Sequence, residues 1–547
     1  MAYLFQKKKG ERYYWYLGEN QRVNGKVKRI WQKYVGPAEN VANQLAYGTV
    51  PEQIDILDFG LCSALLNIND KIKFVEKVNE IISKREQGLG YGEHLLISLI
   101  NRIDNPQSKN KLGEWFEGTV LKRIFSVNKS YLSSQNFWNH WNNISEEEIN
   151  KIQEELLKIL VEKCDISDLY FDPTNFTAYT EEHKNQKLMK FGHSKDGRRL
   201  RQVNLSLLVT KKDGIPIWHH SYEGNINDVT EFKEFIKTLA ERITFFSKKC
   251  KKITLIMDKG NNSKNNIKNI NKHLSFFVVG SLKPSEHKEL FDIPLEDFNE
   301  EYETSEGKKV FCVAKNMNLY EGKKKVVITY SNELAYKNRV RVLKAIEKAL
   351  NQLKNLEGRI KNSNLSRDEL LIKASGIADK PYIKGLIKYE IKNIPSGLKL
   401  IFSEDEQAYK EKEKSFGKNI LFTDDLTLKT TEVVRIYCSK NIIEEQFRTL
   451  KNPYVISFTP MWCWTDKMIR VHAFTCVMAL LFLRMLVKDV RENKINLSQA
   501  QIIEQLKKIK QTLLRMPRRK EIISKLTRLN EEQRVLANVL NIRKYAK

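Results

Sequence analysis

The sequence predicts a mixed α/β fold built in several parts, and three observations lead to this prediction. From about residue 166 onward, short apolar runs are separated by turn residues, which is typical of strands. On both sides of that part, apolar residues recur with the spacing of helices. A long stretch within it mixes the two patterns and indicates an insertion. With 547 residues, the chain is long enough for about three or four domains.

The N-terminal part contains two predicted regions. Residues 1–36 alternate aromatic and charged residues around a hairpin signal at Asn24-Gly25, which predicts a small basic β element. Residues 37–165 have helical periodicity and end in a helix that Ser145 and Glu148 begin as a capping box. This helical region is predicted to be a DNA-binding region. It is equally compatible with a scaffold, since no helix-turn-helix signature stands out.

The central part is predicted as a ribonuclease-H-like mixed-sheet core in two pieces. Residues 166–282 carry the strands SDLYFD, RQVNLSLLVT and IPIWHHSYEG, then a helix, then the strand KKITLIMDKG. Residues 283–418 are predicted to be an insertion domain, and residues 419–490 return to the sheet and add a helix over 431–451. The remainder, 491–547, is predicted to be a basic helical C-terminal region.

The charge of the chain indicates a polyanionic partner. Lys and Arg number 94 against 67 Asp and Glu, which gives the chain a net charge of +27. Neutralising phosphates releases counterions and drives binding, so nucleic acid is the first candidate. The alternative is a Lys-rich proteome encoded by an AT-rich genome.

Cysteine usage and hydropathy indicate a cytoplasmic protein. The seven cysteines include no CxxC pair, which favours reduced thiols. The N-terminus lacks the apolar segment of a signal peptide. Residues 471–487 are apolar but short for a membrane span and contain His472 and Arg484, so a buried helix is expected. No phosphate-binding GxxxxGK[ST] loop is present, which leaves an ATP-driven mechanism without support.

Two carboxylates follow apolar runs that are predicted to be neighbouring strands. Asp172 comes after Leu169-Tyr170-Phe171, and Pro173 with the next two residues is expected to end that strand. Asp258 comes after a second apolar run, ahead of Lys259-Gly260-Asn261. Either aspartate alone is ordinary turn chemistry. Together, at neighbouring strand ends of one sheet, they would supply the hard oxygen ligands of a divalent cation.

A third acid is expected downstream, because two carboxylates provide too few ligands for two metal ions. At about 100° per residue, one stripe of the helix over 431–451 contains four charged residues: Lys440, Glu444, Arg448 and Lys451. Glu444 borders the apolar stripe, whereas Glu445 points almost opposite to it and is expected to meet solvent. The alternative for Glu444 is a solvated helix glutamate with i,i+4 pairs.

Other residues were weighed for function. Consecutive strand residues face opposite sides, so His219 and His220 are expected to be structural. His472 is expected to be a core or interface histidine. Trp462 and Trp464 are compatible with stacking on a flipped base, but packing is favoured.

These residues resemble a known family. Tyr437, Lys440, Glu444 and Lys451 match the Tyr-Arg-Glu-Lys signature of DDE transposases in the insertion-sequence family four group, with Lys440 in place of Arg. The resemblance covers most of 167–487 and includes the following segments: GHSKDGRR, DGIPI, YEGNINDVTEF, MDKGNNS, FFVVGSLK and WTDKMIRVHAFTCVMALL. The change to Lys keeps the charge but loses the bidentate fork of Arg.

The resemblance implies a catalytic site and its cofactor. Asp172, Asp258 and Glu444 would bind two Mg²⁺ ions, for which Mn²⁺ is a possible substitute, in a ribonuclease-H-like core. Tyr437, Lys440 and Lys451 would hold DNA phosphates. Arg448 lies on the same helix stripe as the two lysines.

The resemblance also implies a function and partners. The chain would bind the terminal inverted repeats of its insertion sequence and catalyse DNA strand cleavage and strand transfer into target DNA. It would act as a homodimer assembled on double-stranded DNA, in the cytoplasm with the bacterial nucleoid. Two alternatives remain open: a ribonuclease-H-like structure-specific nuclease, and a non-catalytic DNA-binding protein derived from a transposase.

Overall fold

The structure is a computed structural model of the whole chain. It describes the following residues: 2–23, 25–47, 50–83, 88–178, 186–193, 199–242, 252–258, 262–273, 276–304, 307–320, 322–360, 365–395, 397–517 and 521–546. Asn24, Lys259-Gly260-Asn261 and the middle of the GHSKDGRR segment, on which some predictions fall, lie outside the described residues.

The strands are spread over the whole chain. They are β1 (Ala2–Lys9), β2 (Arg12–Val23), β3 (Lys26–Pro37), β4 (Gln53–Asp58), β5 (Asp168–Thr177), β6 (Lys190–His193), β7 (Arg199–Thr210), β8 (Pro216–Glu223), β9 (Thr254–Met257), β10 (Phe277–Ser281), β11 (Glu300–Glu303), β12 (Lys309–Leu319), β13 (Gly322–Tyr330), β14 (Ile387–Ile394), β15 (Gly397–Glu404), β16 (Lys418–Thr423), β17 (Lys510–Arg515) and β18 (Ile522–Leu526).

Helices connect and flank these strands. They are α1 (Ala38–Tyr47), α2 (Gly60–Ile72), α3 (Phe74–Ile81), α4 (Tyr91–Asp104), α5 (Lys109–Glu117), α6 (Val120–Phe125), α7 (Ser134–Trp141), α8 (Glu146–Lys163), α9 (Asp228–Arg242), α10 (Lys264–His273), α11 (Asn332–Ile360), α12 (Arg367–Ala378), α13 (Glu406–Glu413), α14 (Thr430–Cys438), α15 (Asn441–Lys451), α16 (Asp466–Glu492), α17 (Gln499–Lys507) and α18 (Glu531–Val539). The predicted capping box at the start of α8 is confirmed, since Ser145 and Glu148 exchange both hydrogen bonds.

The chain divides into two compact units. The terminal unit consists of residues 1–67, 113–130 and 489–547, and the central unit of residues 68–112 and 131–488. The predicted boundaries at 36, 165, 282, 418 and 490 remain predictions.

In the terminal unit, the two ends of the chain share a sheet. β1, β2 and β3 form an antiparallel sheet, as predicted for a β element. A second sheet has the order β18–β17–β4, in which Gln53–Asp58 pairs with Lys510–Arg515. The C-terminal region, predicted to be helical, contains the strands β17 and β18 as well as α17 and α18. The short apolar runs of β17 and β18 complete a sheet with a strand more than 450 residues earlier, and local periodicity does not report such pairing.

The central unit contains a mixed sheet, which confirms the predicted α/β class. Its order within the described residues is β11–β12–β13–β16–β10–β9–β5–β7–β6, with β8 also paired to β7. The neighbours β10, β9 and β5 are parallel, and the other pairs are antiparallel. β16 returns to this sheet, as predicted for residues from 419 onward.

The predicted insertion divides into two parts. β11, β12 and β13 extend the main sheet through the pairing of β13 with β16. The part from α11 to α13 has its own apolar cluster, in which Val342, Ile346 and Leu353 of α11 pack with Leu370 of α12 and Leu400 of β15. Part of the segment that was predicted to be an insertion therefore adds strands to the edge of the main sheet.

The core of the central unit lies on both faces of the main sheet. On one face, Phe171 of β5 packs against Phe232 and Phe235 of α9, with ring centroids 4.8 and 4.6 Å apart.

Among the described residues, α16 is the helix whose length and composition would allow a membrane crossing, and its most apolar window is 100% buried. The prediction of a buried helix is confirmed. Within it, His472 is buried and contacts the Phe458 carbonyl through Nε2 at 2.8 Å, as expected for a core histidine.

His219 and His220 of β8 have structural partners, as predicted. His219 Nδ1 lies 2.6 Å from Gln153 Oε1. His220 contacts Glu231 Oε1 at 2.7 Å through Nδ1 and Glu146 Oε1 at 3.4 Å through Nε2. Burial by itself would lower the pKa of His220, but hydrogen bonds and charges from the two glutamates raise this pKa to about 9. A protonated His220 therefore links α8 and α9 to the sheet.

The stability of the chain should depend on the charge of His220. A folded pKa of about 9 against an ordinary 6.5 means that the contribution is complete below about 6.5 and is lost as the pH rises through 9. Urea unfolding across this range should show a falling free energy of unfolding in the natural chain. His220→Gln should be less stable at the acid end and should lack this part of the decline. Parallel pH curves for both proteins would contradict the role given to His220.

Candidate active site

Asp172 lies in the middle of β5, which corrects the prediction that the strand ends there. β5 continues to Thr177, and Pro173 pairs with Ser206 of β7. On its other side, β5 pairs with β9 only over Asp168–Tyr170. A proline is tolerated beyond that point because one side of the strand no longer has a hydrogen-bonded neighbour.

The two aspartates stand at the same level of the sheet. Tyr170 pairs with Ile256 in the parallel ladder of β5 and β9. Asp172 and Asp258 are each two residues beyond this pair, so they share a face and a level. Neighbouring strands are about 4.8 Å apart, so the two aspartates follow the same end of this ladder on adjacent chain segments.

The face that carries Asp172 is covered by α14 and α15. Tyr170 donates a hydrogen bond to the Ile436 carbonyl of α14 at 2.8 Å. Lys451, the last residue of α15, donates to Thr174 Oγ1 at 2.9 Å. Residues 170, 172 and 174 alternate with residues on the other face, so Asp172 lies between these two contacts.

Asp258 is surrounded by hydrogen-bond donors. Lys440 Nζ lies 2.7 Å from Asp258 Oδ2. Tyr437 and Ser281 donate to Asp258 Oδ1 at 3.1 and 3.3 Å, and the Tyr437 hydroxyl lies 2.9 Å from Ser281 Oγ. Burial, followed by the negative charge of Asp258, raises the pKa of Tyr437, so its hydroxyl stays protonated and donates.

Tyr437 and Lys440 reach Asp258 from a break between helices, which corrects the prediction of one continuous helix over 431–451. α14 ends at Cys438 and α15 begins at Asn441, with Lys440 as its N-cap residue. The backbone of Lys440 keeps helical angles, φ −59° and ψ −22°. The stripe of Lys440, Glu444 and Lys451 is therefore retained, while Tyr437 belongs to the preceding helix.

Glu444 lies on this stripe between the contact with Asp258 and the contact with Thr174. The side chains of Glu444 and Arg448 are exposed, and neither makes a hydrogen bond or an ion pair with the part of the chain that the structure describes. Glu445 is half exposed but lies 3.4 Å from Nη1 of the buried Arg484. Its exposure agrees with the expectation that Glu445 meets solvent, and the contact with Arg484 is additional.

Sequence reasoning missed two residues of the site and misjudged two others. Ser281 and Thr174 were not considered, although Ser281 is a polar residue at the end of an apolar strand, as Asp258 is. Trp462 and Trp464 were expected to pack, but they are 60% and 42% exposed.

The side chains at this site include possible ligands for a divalent metal. Within the described residues, no group of three or more His, Cys, Asp and Glu side chains has the arrangement of a metal site. The donors nevertheless suit a hard cation: two carboxylates at one level of the sheet and an uncommitted Glu444 on the covering helix. Lys440 occupies the position of a counter-ion to Asp258. We conclude that the donor set fits a divalent metal.

Comparison with known families identifies the class of this protein. The Transposase DDE domain family matches residues 163–457, more than half of the chain and all of the segment that bears the site. The chain belongs to this family and is a DDE transposase, a class of enzymes that cleave and join DNA. DDE transposase domains generally use divalent metal ions.

No curated protein matches the chain. A similar solved structure is the "Cryo-EM structure of piggyBac transposase synaptic complex with hairpin DNA (SNHP)", with 10% identity, a TM-score of 0.36, and coverage of 83% of this chain and 82% of that one.

The adjacent glutamates should differ sharply in function. Glu444→Gln keeps the volume of the side chain but removes the charge that a metal needs, so DNA cleavage should fall by orders of magnitude. Glu445→Gln still accepts a hydrogen bond from Arg484, so cleavage should be nearly unchanged and the loss of stability should stay near 1 kcal/mol.

Both variants would be assayed side by side on the same DNA, with thermal unfolding as the control for folding. An active Glu444→Gln protein beside an inactive Glu445→Gln protein would show that the stripe is assigned to the wrong glutamate.

Proposed function

We propose that the chain is the transposase of a bacterial insertion sequence of the family four group. It binds the terminal inverted repeats of its element, cleaves DNA there and transfers the strand to target DNA. The observation that carries this proposal is the common level of Asp172 and Asp258 on neighbouring parallel strands, beneath the helix of Glu444. The Tyr437, Lys440, Glu444 and Lys451 spacing supports the assignment to this group.

We further propose that the core is ribonuclease-H-like. The strand order β8–β7–β5–β9–β10 supports this proposal, since an antiparallel set is followed by two parallel strands. The first two proposed ligands come from the neighbours β5 and β9 in the middle of this order.

Asp172, Asp258 and Glu444 would hold the metal ions, with Mg²⁺ as the proposed metal. When bound, two such ions supply a nucleophile at neutral pH and stabilise the leaving oxygen in an in-line phosphoryl transfer. Tyr437 and Lys440 orient the Asp258 carboxylate through its two oxygens.

The cations of the site would hold the DNA. Lys440 and Lys451 lie at the two ends of the stripe, and Arg448 projects from the same helix with five donors available to phosphate. Tyr437 adds a protonated hydroxyl. The chain would act as a homodimer assembled on the DNA ends, in the cytoplasm with the nucleoid.

Asp172→Asn should abolish cleavage while DNA binding persists. The substitution removes a ligand charge from a basic protein, which does not weaken its attraction for phosphates. Asp168→Asn is the matched control, because Asp168 lies on the same face of the same strand and pairs with Lys211 at 2.8 Å. The measurement is cleavage of a duplex carrying the inverted repeats that flank the gene, together with its retention by the protein. Full cleavage by Asp172→Asn would remove the basis of the proposal.

Divalent metals should separate binding from chemistry. Mg²⁺ and Mn²⁺ should support cleavage and strand transfer, whereas Ca²⁺, with its longer and more flexible coordination, should permit DNA binding with little chemistry. Joined donor-target products would be quantified on a gel in each metal and in EDTA. Undiminished product in EDTA would exclude the proposed mechanism.

A further inference from the structure

We propose that the sheet of β1, β2 and β3 is a second DNA-contacting surface, which binds the sugar-phosphate backbone of duplex DNA. This inference rests on the proposed function for the identity of the polyanion. The surface is one face of the sheet, defined here as the aromatic-basic face. It consists of Tyr3, Phe5, Lys7, Lys9, Arg12, Tyr14, Tyr16, Gly18, Asn20, Arg22, Arg29, Gln32 and Tyr34, which the strand register places on the same side.

The rings of this face hold one another in place. The rings of Phe5 and Tyr16 stack with centroids 5.7 Å apart, and the ring centroids of Tyr16 and Tyr34 are 5.4 Å apart. Arg29 lies 3.6 Å above the Phe5 ring, and Lys7 lies 4.9 Å above the Tyr16 ring. Such cation–π contacts stabilise a charged side chain on an exposed surface.

Gly18 makes room for this stacking. A Cβ atom at that position would lie 2.9 Å from Phe5 Cε1 and 3.4 Å from Arg29 Cδ. The absence of a side chain allows Arg29 to cross the sheet and reach the Tyr3 hydroxyl at 3.0 Å. The cation is thus fixed in position on the sheet, with less side-chain entropy to lose on binding.

The charge of the sheet matches a polyanion. Residues 2–37 contain nine Lys and Arg against two Glu, a net charge of +7. The aromatic-basic face carries five of these cations and no acid, because Glu11 lies in the turn and Glu19 on the opposite face. Lys9 and Arg12 face each other across the strands next to the Gly10-Glu11 turn, and both are exposed.

The geometry favours backbone contact over stacking on bases. Phe5 and Tyr16 are half buried, and cations already cover their rings. Proteins that bind single strands use open aromatic rings on which bases stack. Tyr34 is the one ring of this face with an exposed side chain, so the five cations are the main contact groups, and cations read phosphates without sequence preference.

The test uses the full chain, a mixed-sequence 30-bp duplex and a dT30 single strand, without divalent metal. The variant is K9A/R12A, which removes two exposed cations that make no cation–π contact with the sheet. Loss of two phosphate contacts should reduce the slope of log Kd against log salt by about 1.8, since each contact contributes about 0.9. Charge reversal in K9E/R12E should weaken duplex binding further.

The matched control is K392A/K399A. Lys392 and Lys399 also form an exposed cross-strand pair near a turn, in β14 and β15 of the central unit. This variant should keep the slope of the natural chain. Thermal unfolding of all variants checks that the fold is intact.

Three results would overturn the proposal. They are an unchanged salt slope in K9A/R12A, an equal reduction of the slope in K392A/K399A, and a loss of affinity that is confined to dT30. The same proteins would also be assayed for cleavage of inverted-repeat DNA in Mg²⁺. If K9A/R12A has a reduced salt slope but the natural chain does not cleave the DNA, the proposed function is overturned and the DNA-contacting sheet stands. If the natural chain cleaves the DNA but K9A/R12A has an unchanged salt slope, the proposed function stands and the DNA-contacting sheet is overturned.

Discussion

The parallel register of β5 and β9 is the constraint on which the site depends. Pairing of Tyr170 with Ile256 sets Asp172 and Asp258 at one level, and a shift of one residue would turn one carboxylate to the other face of the sheet. The register is supported on both faces. Phe171 is fixed by Phe232 and Phe235 of α9, and Tyr170 by the carbonyl of Ile436. The aspartates therefore gain their positions from apolar packing.

The covering helices show how neighbouring charged residues acquire different roles. Lys440 and Lys451 tie the two ends of one stripe to the sheet, through Asp258 and Thr174. Glu444 lies between them with no competing partner among the described residues, whereas Glu445 is committed to the buried Arg484. Glu445 adds an ion pair to Arg484, which also donates a hydrogen bond to the Asp213 carbonyl at 2.8 Å. The two adjacent carboxylates therefore differ in their contacts with the described residues.

Local patterns in the sequence predicted the α/β class, the helix cap at Ser145 and the stripe of Lys440 and Glu444. They failed where distant residues decide the structure. Pro173 was expected to end a strand, but β7 continues the pairing after β9 has ended. The break before Asn441 has no glycine or proline to announce it. The pairing of β13 with β16 and that of β4 with β17 depend on contacts between distant segments, which no local periodicity encodes.

The β4–β17 pairing has a consequence for synthesis on the ribosome. β4 leaves the ribosome early, but its partner β17 begins at residue 510. At about 5–20 residues per second, translation separates the two strands by roughly 20 to 90 s. During that interval the strand edge of β4, with Ile54 and Ile56, has no β17 to cover it. A nascent chain that is released before residue 510 would lack the strand with which β4 pairs.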